Sequence, residues 1–266
     1  MTRIHLPTVF LILTTSVPVI GCGGGSTSSD TDDTSSSSTA STASSSSASS
    51  ETGVVSANDF IVLFSSAIVT VFDDDGRYTQ ETVEVGASAE SRNDIASLTG
   101  TTVTFRTEWG SFVVTDGSTA TCELDNTGSC SITWRAGDPS TAPSNCRVGF
   151  TAYVTGEEEF NDINDNGVYD DADDNGTLGA GFIDVSEPFL PTFAGEHDAV
   201  FSATLDQLID VSPTNTVYDS GDGFYNGANC SHTQGLCGPT TTIIWDWSTL
   251  QIKGDPDEGD PLVCPA

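Results

Sequence analysis

Between Ala57 and Val154 apolar positions recur at every second residue, not at every third or fourth. Val83, Val85, Ala87 and Ala89 alternate with polar or small residues. Val103, Phe105 and Trp109 share a parity that Thr107 interrupts, and Ala120, Cys122 and Leu124 run up to the turn Asp125-Asn126-Thr127-Gly128. Cys130, Ile132 and Trp134 lead away from that turn, and Cys146, Val148, Phe150, Ala152 and Val154 make the cleanest alternation. Period two is the mark of strands with one buried face. Thr and Val dominate, and turns such as Asp74-Asp75-Gly76-Arg77 and Asp116-Gly117 punctuate the runs, which predicts an all-β sandwich. A last run, Thr240 to Ile252, reads as a closing strand with Ile243, Trp245 and Trp247 on one face.

From Gly156 to Pro239 the alternation disappears and the chain turns acidic and Gly-rich. The sequence predicts no core for this stretch, so a metal ion and a small disulfide loop are expected to substitute for one. Its most informative segment is Asp162-Ile163-Asn164-Asp165-Asn166-Gly167-Val168-Tyr169-Asp170-Asp171-Ala172-Asp173. Oxygen-bearing side chains fall at loop positions 1, 3, 5, 9 and 12, with Gly at 6, which is the ligand schedule of an EF-hand-type calcium loop. The expected ligands are Asp162, Asn164, Asn166, Asp170 and Asp173 with the Val168 carbonyl. Position 12 is Asp rather than Glu, as in dockerin-type loops, and nothing nearby reads as a helix, so a bare calcium loop is expected. The alternative is a solvated acidic surface loop. Asp210 to Asp222 looks like a second copy, with Asp210, Asp219 and Asp222 as candidate ligands but no turn Gly and one residue too many.

Charge sharpens this picture. The 266 residues hold 39 acidic against 7 basic side chains, for a net charge of −32. Such a chain repels phosphate backbones, which excludes nucleic acid as a partner. Nine carboxylates lie between Glu157 and Asp174 and would repel one another without a cation.

The first 21 residues read as a lipoprotein signal peptide. Arg3 supplies the positive end, and Leu6 to Ile20 is apolar but too short and too interrupted by Pro7 and Pro18 to span a membrane. Val19-Ile20-Gly21-Cys22 resembles a bacterial lipobox, which implies cleavage before Cys22 and a lipid on its thiol; plain secretory cleavage after Gly21 is the alternative. Residues 22–53 are mostly Gly, Ser, Thr and Ala, a composition that stays disordered and forms a tether spanning roughly 30 Å. By resemblance to Gram-negative lipoprotein sorting, Gly23 implies export to the outer membrane.

Six cysteines remain, an even number suited to an oxidising compartment. Cys122 and Cys130 flank a turn and are expected to face each other across two antiparallel strands. Cys230 and Cys237 close a small loop, and elimination leaves Cys146 with Cys264. No C-x-x-C pair supports zinc.

Gly100 to Gly110, Gly128 to Trp134 and Val148 to Ala152 together resemble the bacterial Ig-like domains of invasin and intimin type, over about Val54 to Thr155. Gly156-Glu-Glu-Glu-Phe160-Asn-Asp162 further resembles a subgroup of exported Ig-like proteins in which a calcium-loop segment follows the sixth strand. The resemblance implies an Ig-like β-sandwich over residues 54–155, an inserted acidic calcium-loop segment over 156–239 and a closing strand with tail over 240–266. The topology would also bring the start of the strand at Cys146 near the end of the strand at Ile252.

No nucleophile motif of the G-x-S-x-G kind accompanies His197 or His232, His232 reads as a surface polar residue, and the Trp residues occupy strand positions. A non-catalytic, surface-anchored module stiffened by calcium is therefore expected, in adhesion or envelope structure, with a surface protein or polysaccharide as partner. The alternative is a calcium-dependent carbohydrate-binding sandwich, for which Tyr169, Phe224 and Tyr225 are the candidate exposed aromatics.

Overall fold

Twelve strands and no α-helix form among the described residues, which in this computed structural model are 53–71, 78–91, 98–174, 176–192, 201–203, 205–211 and 216–253. The first half supplies β1 (Val55–Ser56), β2 (Ile61–Phe64), β3 (Ile68–Thr70), β4 (Thr82–Ser88), β5 (Thr102–Thr107) and β6 (Ser111–Phe112). It continues with β7 (Thr119–Glu123), β8 (Ser129–Arg135) and the long β9 (Arg147–Glu157), followed by β10 (Phe189–Leu190), β11 (Gln207–Leu208) and β12 (Thr242–Lys253). One sheet runs β3-β12-β9-β5-β7 with β1 beside β9, and the other runs β2-β4-β8-β6. The fold is a β-sandwich.

The alternating residues of both sheets point into one core. Val85, Ala87, Ile132 and Trp134 come from one sheet, and Val103, Phe105, Phe150 and Ile252 from the other. Phe150 sits at the centre, edge-on to Phe64 at 5.0 Å and Trp134 at 5.4 Å between ring centroids. Thr107 explains its own interruption of the pattern. It is buried like its apolar neighbours, and its hydroxyl donates to the Trp109 carbonyl at 2.8 Å, so the polar group is satisfied where it lies.

The pairing of Cys122 with Cys130 forms as expected, with Cα atoms 6.0 Å apart. The expected pairing of the two strands does not. β7 bonds to β5 and β8 bonds to β4 and β6, so the turn between them crosses from one sheet to the other. The disulfide is therefore a staple between sheets. The turn is built by the Asp125 carboxylate, which accepts from the N–H groups of Thr127 (2.7 Å) and Ser129 (3.1 Å). That geometry closes a sheet-crossing arch as readily as a hairpin.

β9 and β12 lie antiparallel from Gln251 opposite Arg147 to Thr242 opposite Gly156, so the acidic segment leaves and re-enters the sheet at adjacent positions. The Ile252 N–H donates to the Cys146 carbonyl at 2.8 Å, which places those strand ends together as expected. Cys146 is disulfide-bonded; Cys264 lies outside the described residues, as do Cys22, His197 and the turn at 74–77.

Ile243, Trp245 and Trp247 do share a face, and it is the one turned away from the sandwich core. The inserted segment covers part of it. Phe189 packs on Trp245 at 4.8 Å, the Trp245 indole N–H donates to the Ser186 carbonyl (2.7 Å), and the buried Thr151 hydroxyl donates to the Phe189 carbonyl (2.8 Å). This is why the middle of β9 is buried on both faces.

Candidate metal centre

The inserted segment has a core, contrary to the expectation from its composition. Phe160, Tyr169 and Tyr225 are buried together, with Phe182, Leu236 and Cys230 packed around them. Ring centroids lie 4.9 Å apart for Tyr169 and Tyr225, 5.3 Å for Phe160 and Tyr225 and 5.5 Å for Tyr169 and Phe182. Main-chain bonds fasten the cluster to the Cys230–Cys237 loop, from Tyr169 N to Asn229 O at 2.9 Å and from Tyr225 N to Leu236 O at 2.8 Å. Few large side chains suffice because each aromatic buries much apolar area and most of the ring pairs meet edge to face, with Tyr169 and Tyr225 tilted at 43°. Tyr169 and Tyr225 are 0% exposed, so neither presents a ring at the surface, whereas Phe224 is 43% exposed.

Residues 162–173 wrap around their own side chains. Asp162 accepts from the N–H groups of Asn166 (3.1 Å) and Gly167 (2.7 Å), and Gly167 takes the left-handed conformation at φ 72°. The Asn164 and Asn166 amides turn their N–H groups to Asp170, at 3.3 and 2.8 Å. Hydrogen bonds from the Ala172 N–H and the Asn166 amide hold the Asp170 carboxyl below its usual range. Asp173, buried at the base, accepts from Ile163 N and Asp170 N, each at 2.9 Å, and so ties the two ends of the loop together. Gly181 is required opposite, since a Cβ there would collide with the Asp173 carbonyl.

Beside the loop lies a polar network that sequence reading placed at the surface. The His232 side chain is fully buried, with Nε2 2.6 Å from Asp174 and Nδ1 3.2 Å from Asp171, and its ring stacks on Tyr169. The Tyr169 hydroxyl donates to the other Asp174 oxygen at 2.9 Å. Burial, reinforced by that carboxylate, pushes the Tyr169 hydroxyl well above the ordinary phenol range. Asp171 is held below the usual carboxylate range chiefly by the Thr233 hydroxyl. The small disulfide loop is thus anchored to the calcium-type loop through His232 and Thr233.

The residues of the second copy are placed apart in role. Asp210 accepts from Thr216 N (2.6 Å), and the Asp219 backbone pairs with Glu187. Asp222 accepts from Phe224 N (2.8 Å) and from the Asn226 amide (3.2 Å); residues 212–215 between them lie outside the described residues. Sequence reading missed Glu158. It is 0% exposed, accepts from Val185 N (2.7 Å) and Asn226 N (2.8 Å), and burial pushes its carboxyl up to about 7.

Among the described residues no three Asp, Glu, His or Cys side chains converge as a metal-holding group. The side-chain oxygens of Asp162, Asn164, Asn166, Asp170 and Asp173 nevertheless lie in one short loop and are of the hard type that calcium takes, with both Asn amides bonded to Asp170 and Asp173 buried at the base. Residues 158–241 contain sixteen carboxylates and neither lysine nor arginine, so the only candidate positive charges within the segment are its two histidines. No helix among the described residues is long and apolar enough to cross a membrane. Comparison with protein families, with curated proteins and with solved structures gives no match.

Proposed function

We propose that this chain is a non-catalytic, exported Ig-like lipoprotein module whose inserted segment is made rigid by calcium, serving adhesion or envelope structure from a lipid anchor on Cys22. The observation that carries the reading is the loop at 162–173, a complete schedule of oxygen ligands in a segment with no lysine or arginine. Asp162, Asn164, Asn166, Asp170, Asp173 and the Val168 carbonyl would hold the ion. Bound calcium supplies a fixed double positive charge among crowded carboxylates and a preference for oxygen ligands. The residues themselves do the rest. Asp173 clamps the loop ends, Gly167 turns the chain, and Tyr169 roots the loop in the aromatic cluster.

Calcium binds the folded segment and raises its melting temperature by mass action: at tenfold over the dissociation constant the gain is about 1.4 kcal/mol. Calorimetry in calcium and in chelator checks this, with Asp162→Ala plus Asp170→Ala removing most of the difference. A wild-type melting curve indifferent to calcium refutes it. The anchor is checked by detergent partitioning, which Cys22→Ser abolishes. The carbohydrate-binding alternative is weakened by the burial of Tyr169 and Tyr225 and retains Phe224 as its exposed ring.

A further inference from the structure

We propose that Asn166 is a site of self-modification: the Gly167 nitrogen attacks its side-chain amide, ammonia leaves, and water opens the resulting imide to aspartate or isoaspartate. Asparagine is among the chemically labile residues, and a following glycine leaves the attacking nitrogen unshielded. Three groups of the loop meet the reacting atoms. The Gly167 N–H donates to an Asp162 carboxylate oxygen at 2.7 Å, so a base already holds the proton that must depart. The Val168 N–H donates to the Asn166 side-chain carbonyl oxygen at 2.7 Å, where negative charge develops as the nitrogen adds. The Asn166 amide nitrogen, which is the leaving group, is held by Asp170 at 2.8 Å. Base, oxyanion donor and leaving-group contact are thus already in place in one turn of the chain.

The step balances within the chain and water. A bond forms between the Gly167 nitrogen and the Asn166 side-chain carbon while the nitrogen's proton passes to Asp162. That proton returns to the amide nitrogen, whose bond to carbon breaks to release ammonia. Addition of water at either carbonyl of the imide leaves a carboxyl in place of the amide. There is room for the ring: Asn166 is exposed, and nothing lies within 4 Å of where a Gly167 Cβ would sit. The pair Asn226-Gly227 is the contrast. Both residues are buried, and the Cβ position of Gly227 falls 2.2 Å from the Tyr225 hydroxyl oxygen, so an imide does not fit there. Asn175, of a further Asn-Gly pair, lies outside the described residues. The product changes the loop, because a carboxylate at 166 faces Asp170 where an amide donor stood and two like charges replace a hydrogen bond.

The test incubates the mature chain in chelator and heavy-oxygen water, folded or unfolded in urea, and maps its peptides by mass spectrometry. Chelator makes the outcome independent of the calcium reading. In the folded chain Asn166 loses its amide and takes up solvent oxygen about tenfold faster than in urea, while Asn226 keeps its amide. Asp162→Asn retains an acceptor for the Gly167 N–H but no base, and slows the folded chain about tenfold. Asn166→Gln, whose longer side chain would have to close a larger ring, leaves position 166 unmodified. The comparison of folded with unfolded wild type stands even where Asp162→Asn fails to fold. The proposal is overturned if Asn166 persists in the folded chain as long as in urea, if Asn226 reacts equally fast, or if a folded Asp162→Asn reacts at the wild-type rate.

Discussion

Replacing Tyr169 measures how much the inserted segment is held by its aromatic cluster. The ring is fully buried among Phe160, Phe182, Tyr225 and His232, and its hydroxyl donates to Asp174. Tyr169→Phe removes only that bond. Asp174 keeps the Gly179 N–H and His232, so the cost is about 1–2 kcal/mol. Tyr169→Ala removes the ring as well and leaves a cavity, at about 3–5 kcal/mol. The three buried rings of the cluster contribute about 2–3 kcal/mol each by area, so the alanine variant removes a large share of what holds the segment together. The sandwich core shares none of these rings.

Native-state hydrogen exchange resolves the two regions. Amides of Tyr169, Ser231 and Tyr225, bonded within the cluster, should exchange about 10²–10³-fold faster in Tyr169→Ala, by tenfold per 1.4 kcal/mol. Amides in the middle of β5 and β9 should change little. The reasoning fails if cluster amides accelerate less than tenfold, or if sandwich amides accelerate equally, which would mean that the two regions unfold as one.

Three further outcomes are expected. Asp125→Ala should lower the melting temperature at neutral pH. Hydrogen bonds from the Thr127 hydroxyl, first, and from backbone N–H groups depress the Asp125 carboxyl, so its contribution is present above the unfolded value near 3.8 and lost as pH falls through the lower folded value. The gap to wild type therefore closes in acid, and a pH-independent gap would contradict this. Gly156→Ala puts a Cβ against Ile244 and the Val55 carbonyl, and should cost about 1–3 kcal/mol in denaturant melts, partly recovered by Ile244→Val. Trp245→Phe keeps the ring contact with Phe189 but loses the bond to Ser186, so it should loosen the inserted segment, seen as faster limited proteolysis near 186, while leaving the sandwich transition within a degree or two.

The strands were legible because a buried face imposes period two locally, as at Val83 to Ala89 and Cys146 to Val154. The sheet each strand joins was not. The turn at Asp125 to Gly128 carries the same residues whether it closes a hairpin or crosses the core, and the choice is made by β5 and β4, far along the chain. Likewise the ligand schedule at 162–173 was readable because it is contiguous. Glu158 meets the backbone of Val185 and Asn226 only after the fold forms, and no spacing announces it. The aromatic cluster escaped for the same reason, since Phe160, Tyr169, Phe182 and Tyr225 follow no period and composition averages them away. Thr107 and His232 show the complementary limit: each is polar by identity and buried by context, because a nearby carbonyl or carboxylate satisfies it.

The parallel placement of β1 beside β9 and of β3 beside β12 has a mechanical consequence. β3 is near the start of the sandwich and β12 ends it, and the two run in the same direction. Tension applied to the two ends of the sandwich drags these neighbours past each other, so their hydrogen bonds are strained in shear and must give way together rather than one by one. Residues 158–241 leave the sheet beside β1, where Val55 pairs with Gly156 and the Ser56 hydroxyl donates to Glu159, so they are rooted at the end where the N-terminal pull enters. A stretched molecule would thus strain the root of the acidic segment together with the bonds between β1 and β9.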